Sequence, residues 1–283
     1  MKLIQKLAIR YVKANLRMLS LVSKKKAAKK ALKLFSTPML KEKTKRPAIF
    51  EKGEKLSFKI EGISVRGYHW RPKQKAEHKI LIAHGFDSNI KKFDVYISAF
   101  LKKGFEVLAF DAPAHGESDG KQITLPLYIA TIKNIYEQFG PIDFFMAHSF
   151  GGLAVTLFLE KINDNKNKKL VLIAPASEMK TAIDNLFIFL ELDEEVKKEF
   201  DKLIVERTGT QPEYFSIHRA VENIQSSILW LHDKTDDITP ISDALKVEQE
   251  HYPNIHFVFT NGLGHRKIYR DKDVVKKIEE FLV

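Results

Sequence analysis

The chain of 283 residues contains no cysteine. Disulfides, thiolate nucleophiles and cysteine-based metal sites are therefore excluded, and a cytoplasmic protein is the expectation that fits. No uncharged run of about 18 apolar residues occurs, so no membrane-spanning helix is predicted. The N-terminus lacks a compact apolar core ending in a small-residue cleavage site, so no secretory signal is read there. Acids are scarce at one end: residues 1–50 hold 15 of the 47 Lys and Arg but a single acid, Glu42. The remainder sets 32 basic against 35 acidic residues, so the formal charge of +11 belongs to one segment. A basic nucleic-acid-binding body is excluded on that ground, and the basic segment shows no aromatic interleaving of the kind nucleic acid would call for. What the chain does have is 44% hydrophobic residues, enough to bury a sizeable core.

Residues 1–50 read as a basic amphipathic helical arm and linker. Lys2, Lys6, Arg10, Lys13 and Arg17 recur every three or four residues, with Leu3, Ile4, Leu7, Tyr11, Met18 and Val22 on the other side. Lys24, Lys25, Lys26, Lys29, Lys30 and Lys33 continue the charge until Thr37-Pro38 ends the helical pattern, and 41–47 reads as a linker. Two readings stand for residues 1–35. The helix lies on an anionic membrane surface at the inner membrane face, each cation contributing about 1 kcal/mol. Or it packs along the rest of the chain and keeps its lysines in water.

Residues 51–283 alternate strand-like and helix-like segments. Apolar runs at Leu56–Ile60, Val65–Trp70, Lys79–Ala83, Glu106–Phe110, Phe144–Ala147, Leu170–Ala174, Ile228–His232 and Ile255–Thr260 read as strands. Helical patterns follow at 91–103, 124–139, 150–162, 240–252 and 266–282, which predicts a mostly parallel sheet covered on both faces. The first two runs have no helix between them and predict an edge hairpin. More than 50 residues separate the runs ending at 174 and starting at 228, too many for one crossover. They read as a helical cap at about 176–226, with helices at 178–190, 193–206 and about 211–224. Its apolar Leu186, Phe187, Ile188, Phe189, Leu190 and Leu192 either line a substrate pocket or pack on the main domain.

The apolar run Phe144-Phe145-Met146-Ala147 leads into His148-Ser149-Phe150-Gly151, and a helical pattern follows. A serine on a sharp strand-to-helix turn exposes its hydroxyl at the top of a sheet, and small residues must flank it two positions away. Gly151 and Ala147 hold those places. The alternative is a serine that merely caps the next helix. A serine hydroxyl is a poor nucleophile without a base. Of ten histidines, His265 follows the last strand on a glycine-bearing loop, at the same sheet edge as Ser149. The base needs an acid on its other nitrogen. Asp233, Asp236 and Asp237 follow the strand ending at His232, with Glu178 as a further candidate and turn formation as the alternative role. An oxyanion needs two aimed donors. The turn His84-Gly85-Phe86 after the third run offers the Phe86 N–H, and the elbow offers the Phe150 N–H.

Taken together, the turn at His84-Gly85, the segment Asp111–Ser118, the elbow at Ser149, the aspartate loop at Asp236 and the pair Gly264-His265 resemble the α/β-hydrolase family over roughly residues 54–283. The order Ser, Asp, His is the one that family uses. Asp111–Ser118 is similar to its D-x-x-G-x-G-x-S loop, varied by Ala114 in the place of the first glycine and by His115 at the free position after it. The resemblance implies an α/β-hydrolase fold and a helical cap. It makes Asp236 the acid, four residues after the strand-end histidine, with Asp233 standing where glycine is usual. It implies a serine hydrolase cleaving a small-molecule ester or lipid through an acyl-enzyme on Ser149, with no metal and no organic cofactor. An aspartate nucleophile is excluded because Ser149 holds that position. Alternatives are a peptidase, amidase or thioesterase using the same residues, or a non-catalytic binding protein. The oligomeric state is not read from the sequence.

Overall fold

The structure is a computed structural model and describes residues 3–39 and 45–282. Lys2 of the basic stripe and residues 41–44 of the expected linker lie outside the described residues. In chain order the helices and strands are α1 (Leu3–Val22), α2 (Lys24–Ser36), β1 (Glu54–Ile60), β2 (Ile63–Trp70), β3 (Lys79–Ala83), α3 (Asp94–Lys102), β4 (Glu106–Phe110), α4 (Leu125–Phe139), β5 (Phe144–His148), α5 (Phe150–Leu159), β6 (Lys169–Ile173), α6 (Met179–Leu190), α7 (Glu194–Thr208), α8 (Ile217–Val221), β7 (Ser227–Asp233), α9 (Ile241–Gln249), β8 (Ile255–Thr260), α10 (Gly264–Lys267) and α11 (Lys272–Leu282). Short 3₁₀ turns at 48–51, 90–93, 212–214 and 268–270 complete the described secondary structure.

The chain divides into two compact units. One joins residues 1–37 to 178–215, and the other comprises 38–177 and 216–283. The larger unit holds the eight-stranded sheet, ordered β1-β2-β4-β3-β5-β6-β7-β8. β1–β2 and β2–β4 pair antiparallel and every other pair is parallel. The expected edge hairpin turns at Glu61-Gly62, where both residues have positive φ (48° and 77°), the geometry that matches strand twist. Strands β3 to β6 are runs such as ILIA and LVLI with almost every residue buried, as central parallel strands require. Helix α5 is buried along nearly its whole length, which explains why its sequence shows no polar face. A core of Tyr68, Trp70, Phe93, Phe100, Val107 and Leu231, among others, fills one side of the sheet.

Three helical expectations change in detail. The helix read at about 211–224 is two pieces: Pro212 opens a 3₁₀ turn, and Ser216 caps α8 by accepting from Arg219 N–H. The helix read at 266–282 is likewise interrupted. Asp271 is extended and caps α11, its carboxylate accepting from Asp273 and Val274 N–H groups. His265 therefore sits on the separate short helix α10. The pattern read as a helix over 91–103 begins as a 3₁₀ turn, with Asn89 capping it.

In the smaller unit α2 lays Ala27, Ala28, Ala31 and Leu32 against α7, which buries Val196, Phe200 and Leu203. Small side chains let the two backbones approach closely, and Phe35 meets Phe200 edge-on at 5.9 Å between ring centroids. Lys13 pairs with Glu191 at 2.8 Å, and Lys24 with Asp193 at 2.6 Å. Of the apolar residues expected to line a pocket or pack, Phe187 and Leu190 are buried while Ile188 and Phe189 are exposed.

Candidate active site

The strand order reverses direction between β3, whose next strand lies on one side, and β5, whose next strand lies on the other. Ligands of open parallel sheets gather at the carboxyl ends of strands at such a point. Ser149 stands there, between β5 and α5, at φ 55° and ψ −125°. A non-glycine residue holds that conformation only where its surroundings enforce it. Here the Ser149 N–H donates to the Ile173 carbonyl at 3.1 Å, and its own carbonyl accepts from Gly152 and Ala176 N–H groups. Gly151 is forced: a Cβ on it would lie 2.6 Å from the His84 carbonyl oxygen. Ala147 fits in the strand, fully buried. The Ser149 side chain makes no cap bond to α5, so the capping alternative does not describe it.

The hydroxyl instead meets His265. Its Oγ lies 3.0 Å from His265 Nε2, and His265 Nδ1 lies 2.8 Å from Asp236 Oδ2. With Nδ1–H donated to the carboxylate, Nε2 carries a lone pair toward the hydroxyl. All three side chains are buried or nearly so. Asp236 Oδ1 accepts from the Ile238 and Thr239 N–H groups, each at 2.9 Å. Burial opposes the Asp236 charge, but the His265 hydrogen bond and these donors outweigh it and hold the carboxyl below its ordinary pKa. Of the other acids considered, Asp237 is exposed and Glu178 stands at the N-cap position of α6.

The turn after β3 closes on the serine, since a Cβ on Gly85 would lie 2.7 Å from Ser149 Cβ. The Phe86 and Phe150 rings meet edge-on at 6.1 Å, and Phe150 opens α5, whose leading N–H groups have no intrahelical acceptor. His84 supports this turn from beneath. Its Nδ1–H donates to the Gly85 carbonyl at 2.8 Å and its Nε2 accepts from Ala112 N–H at 2.9 Å. Full burial, with His115 nearby, pushes its pKa down to about 3, so it is neutral and structural. Asp111, the first residue of the segment 111–118, accepts from Ile90 and Glu117 N–H groups, and burial raises its carboxyl to about 6.

Three residues have roles at this site that the sequence did not assign. Thr239 Oγ1 lies 2.9 Å from Asp236 Oδ2 and 3.1 Å from His265 Nδ1. Asp233, where the resemblance led one to expect glycine, joins two loops. Its carboxylate accepts from Thr235 N–H and Thr235 Oγ1 on the aspartate loop, and from Thr260 Oγ1 and Leu263 N–H on the histidine loop. His148 donates from Nε2 to the His265 carbonyl at 3.1 Å, and burial pushes its pKa down to about 3. Asp233 stood beside Asp236 among the possible acids but without this bridging role, and strand-end adjacency could have flagged His148; nothing in the sequence pattern singled out Thr239. Among the described residues, no group of three or more His, Asp or Glu side chains could hold a metal ion.

A sheet of this order with a serine elbow on β5 defines an α/β-hydrolase. The profile described as serine aminopeptidase, S33, matches residues 74–280, and the chain belongs to that family of hydrolases. Bacillus subtilis YqkD is 23% identical over 257 residues, covering 82% of this chain and 81% of that protein. Among solved structures, the Pyrococcus furiosus esterase Pf2001 superposes with a TM-score of 0.65 at 17% identity, covering 87% of this chain and 97% of that one. Est1E from Butyrivibrio proteoclasticus, with ferulic acid bound, gives 0.63 at 19% identity over 80% of this chain and 97% of its own.

Proposed function

We propose that this hydrolase cleaves carboxylic esters of small molecules or lipids through an acyl-enzyme on Ser149. The reading rests on the hydrogen-bonded series from the Ser149 hydroxyl to His265 and on to Asp236, at 3.0 and 2.8 Å. Ser149 Oγ attacks the ester carbonyl carbon while His265 Nε2 takes its proton. The carbonyl oxygen becomes an oxyanion that accepts from the Phe86 and Phe150 N–H groups. His265 then gives the proton to the departing alkoxide. Water, deprotonated by the same nitrogen, attacks the acyl-enzyme, and its proton returns to Ser149 as the acid leaves. Asp236 keeps the Nδ1–H tautomer and balances the imidazolium.

The ester preference is supported by the names of the structural neighbours, an esterase and Est1E, solved with ferulic acid bound. The family description favours a second reading, in which the same residues open an amide at a peptide N-terminus. A panel of p-nitrophenyl esters of increasing chain length, run beside aminoacyl p-nitroanilides, separates the two. The proposal expects ester turnover that Ser149→Ala abolishes. Unchanged rates in that variant refute it, and anilide turnover without ester turnover selects the peptidase.

A further inference from the structure

Helix α1 has three faces, set by a turn of about 100° per residue. One packs inward: Leu16 and Ser20 are buried, with Val12 and Leu19 partly so. The next carries Lys6, Arg10, Lys13 and Arg17, and α1 has no acid. The third is apolar yet open to water. Leu7 is 55% exposed, Tyr11 72%, Met18 71%, Leu21 82% and Val22 80%. With exposed Ala14, Leu7 to Leu21 fall at steps of four and three residues, and Val22 lies four after Met18, so that they form one continuous row. An exposed row of this kind marks an interaction surface, because a protein that keeps to water rarely tolerates it.

We propose that this face of α1 docks on an anionic lipid bilayer, the apolar row entering the interfacial layer and the cations meeting lipid phosphates. Charge selects this occupant. The spacing would also suit self-pairing, but a second copy would bring its own cations against Lys6, Arg10 and Arg17 with no acid on either helix to meet them. The cations are also placed for head groups. Arg10, Lys13 and Arg17 line a cleft of about 380 Å³ closed by Leu190 and Glu191. Lys13 pairs directly with Glu191, and the Arg17 charge also favours that carboxylate; Lys6 and Arg10 have no ion pair among the described residues. At the end of α6, Ile188 (75%) and Phe189 (50%) add exposed apolar surface within the same unit, and Lys13 Nζ sits 4.9 Å over the Phe189 ring. One apolar face flanked by cations is the pattern of a helix lying in the membrane surface.

The test is co-sedimentation of the full chain with vesicles of phosphatidylcholine alone or of equal parts phosphatidylcholine and phosphatidylglycerol, at low and high salt. Binding is expected only to the anionic vesicles and to weaken as salt rises. Arg10→Gln with Arg17→Gln should lower the partition coefficient roughly 25-fold, about fivefold per cation. Met18→Ser with Leu21→Ser should lower it roughly a hundredfold. All four positions are exposed, and unchanged far-UV circular dichroism verifies that the variants fold. Equal binding to both vesicle types overturns the proposal. So does full binding by either double variant, or a stable dimer in lipid-free light scattering that Met18→Ser with Leu21→Ser dissolves.

Discussion

Replacing Asp236 by asparagine changes one group at a position where both oxygens are committed. Oδ1 accepts two backbone N–H groups, from Ile238 and Thr239. The amide oxygen of asparagine must take that place, which puts its NH₂ where Oδ2 was, 2.8 Å from His265 Nδ1. Two N–H groups cannot face each other, so Nδ1 gives up its proton and Nε2 gains one. Nε2 then has no lone pair for the Ser149 hydroxyl at 3.0 Å. In a serine hydrolase built this way the wrong tautomer costs about 10⁴-fold in turnover, or about 5 kcal/mol of barrier. The fold should survive, because the size and both backbone hydrogen bonds are kept. The assay is kcat/KM on p-nitrophenyl butyrate, with Tm measured on the same sample. A folded Asp236→Asn variant keeping more than about a tenth of the parent rate would refute the tautomer argument.

Other consequences follow from neighbouring groups. Thr239→Val removes the hydroxyl beside Asp236 Oδ2 and His265 Nδ1; it should lower Tm by the equivalent of about 1–3 kcal/mol and reduce kcat more than it raises KM, which steady-state kinetics will show. Asp233→Ala leaves Thr260 Oγ1 and Leu263 N–H without their acceptor, so about 2–4 kcal/mol of stability should go in urea unfolding, with a drop in kcat as the histidine loop loosens. Asp111 bears on pH. Its carboxyl is raised to about 6 in the fold, so the folded state holds that proton more tightly than the unfolded chain does. This favours folding below the unfolded pKa of about 4, and the benefit, up to about 3 kcal/mol, is lost as pH rises through about 6. Asp111→Asn cannot ionise, so its Tm deficit relative to the parent should shrink between about pH 4 and pH 7; a constant deficit would contradict this.

The residues most legible in the sequence were those whose position at a strand end is dictated by backbone geometry. The apolar run FFMA, the serine after it and Gly151 announce the elbow because the close approach of α5 to the β3 end excludes a side chain at Gly151. His265 was legible as the histidine that follows the last strand, and Asp236 by its spacing from His232. Less visible was anything that depends on which atoms meet. Asp233 reads as a turn former, yet it ties the aspartate and histidine loops through both of its oxygens. Thr239 is an ordinary residue before a helix until its hydroxyl is seen beside the histidine. The grouping of α1 and α2 with α6 and α7 was also hidden, because a face of alanines packs on any complementary helix and the pattern names no partner. The breaks at Ser216 and Asp271 were missed because each caps a new helix inside a continuous apolar rhythm.

The central claim is that the Ser149 hydroxyl is made nucleophilic by His265. Incubation of the folded protein with a fluorophosphonate, followed by peptide mass spectrometry, tests it without knowledge of the substrate. The account predicts one covalent adduct, on the peptide carrying Ser149, absent in Ser149→Ala and slowed by orders of magnitude in His265→Ala. An unmodified wild-type protein, or an adduct formed equally fast without His265, would contradict it.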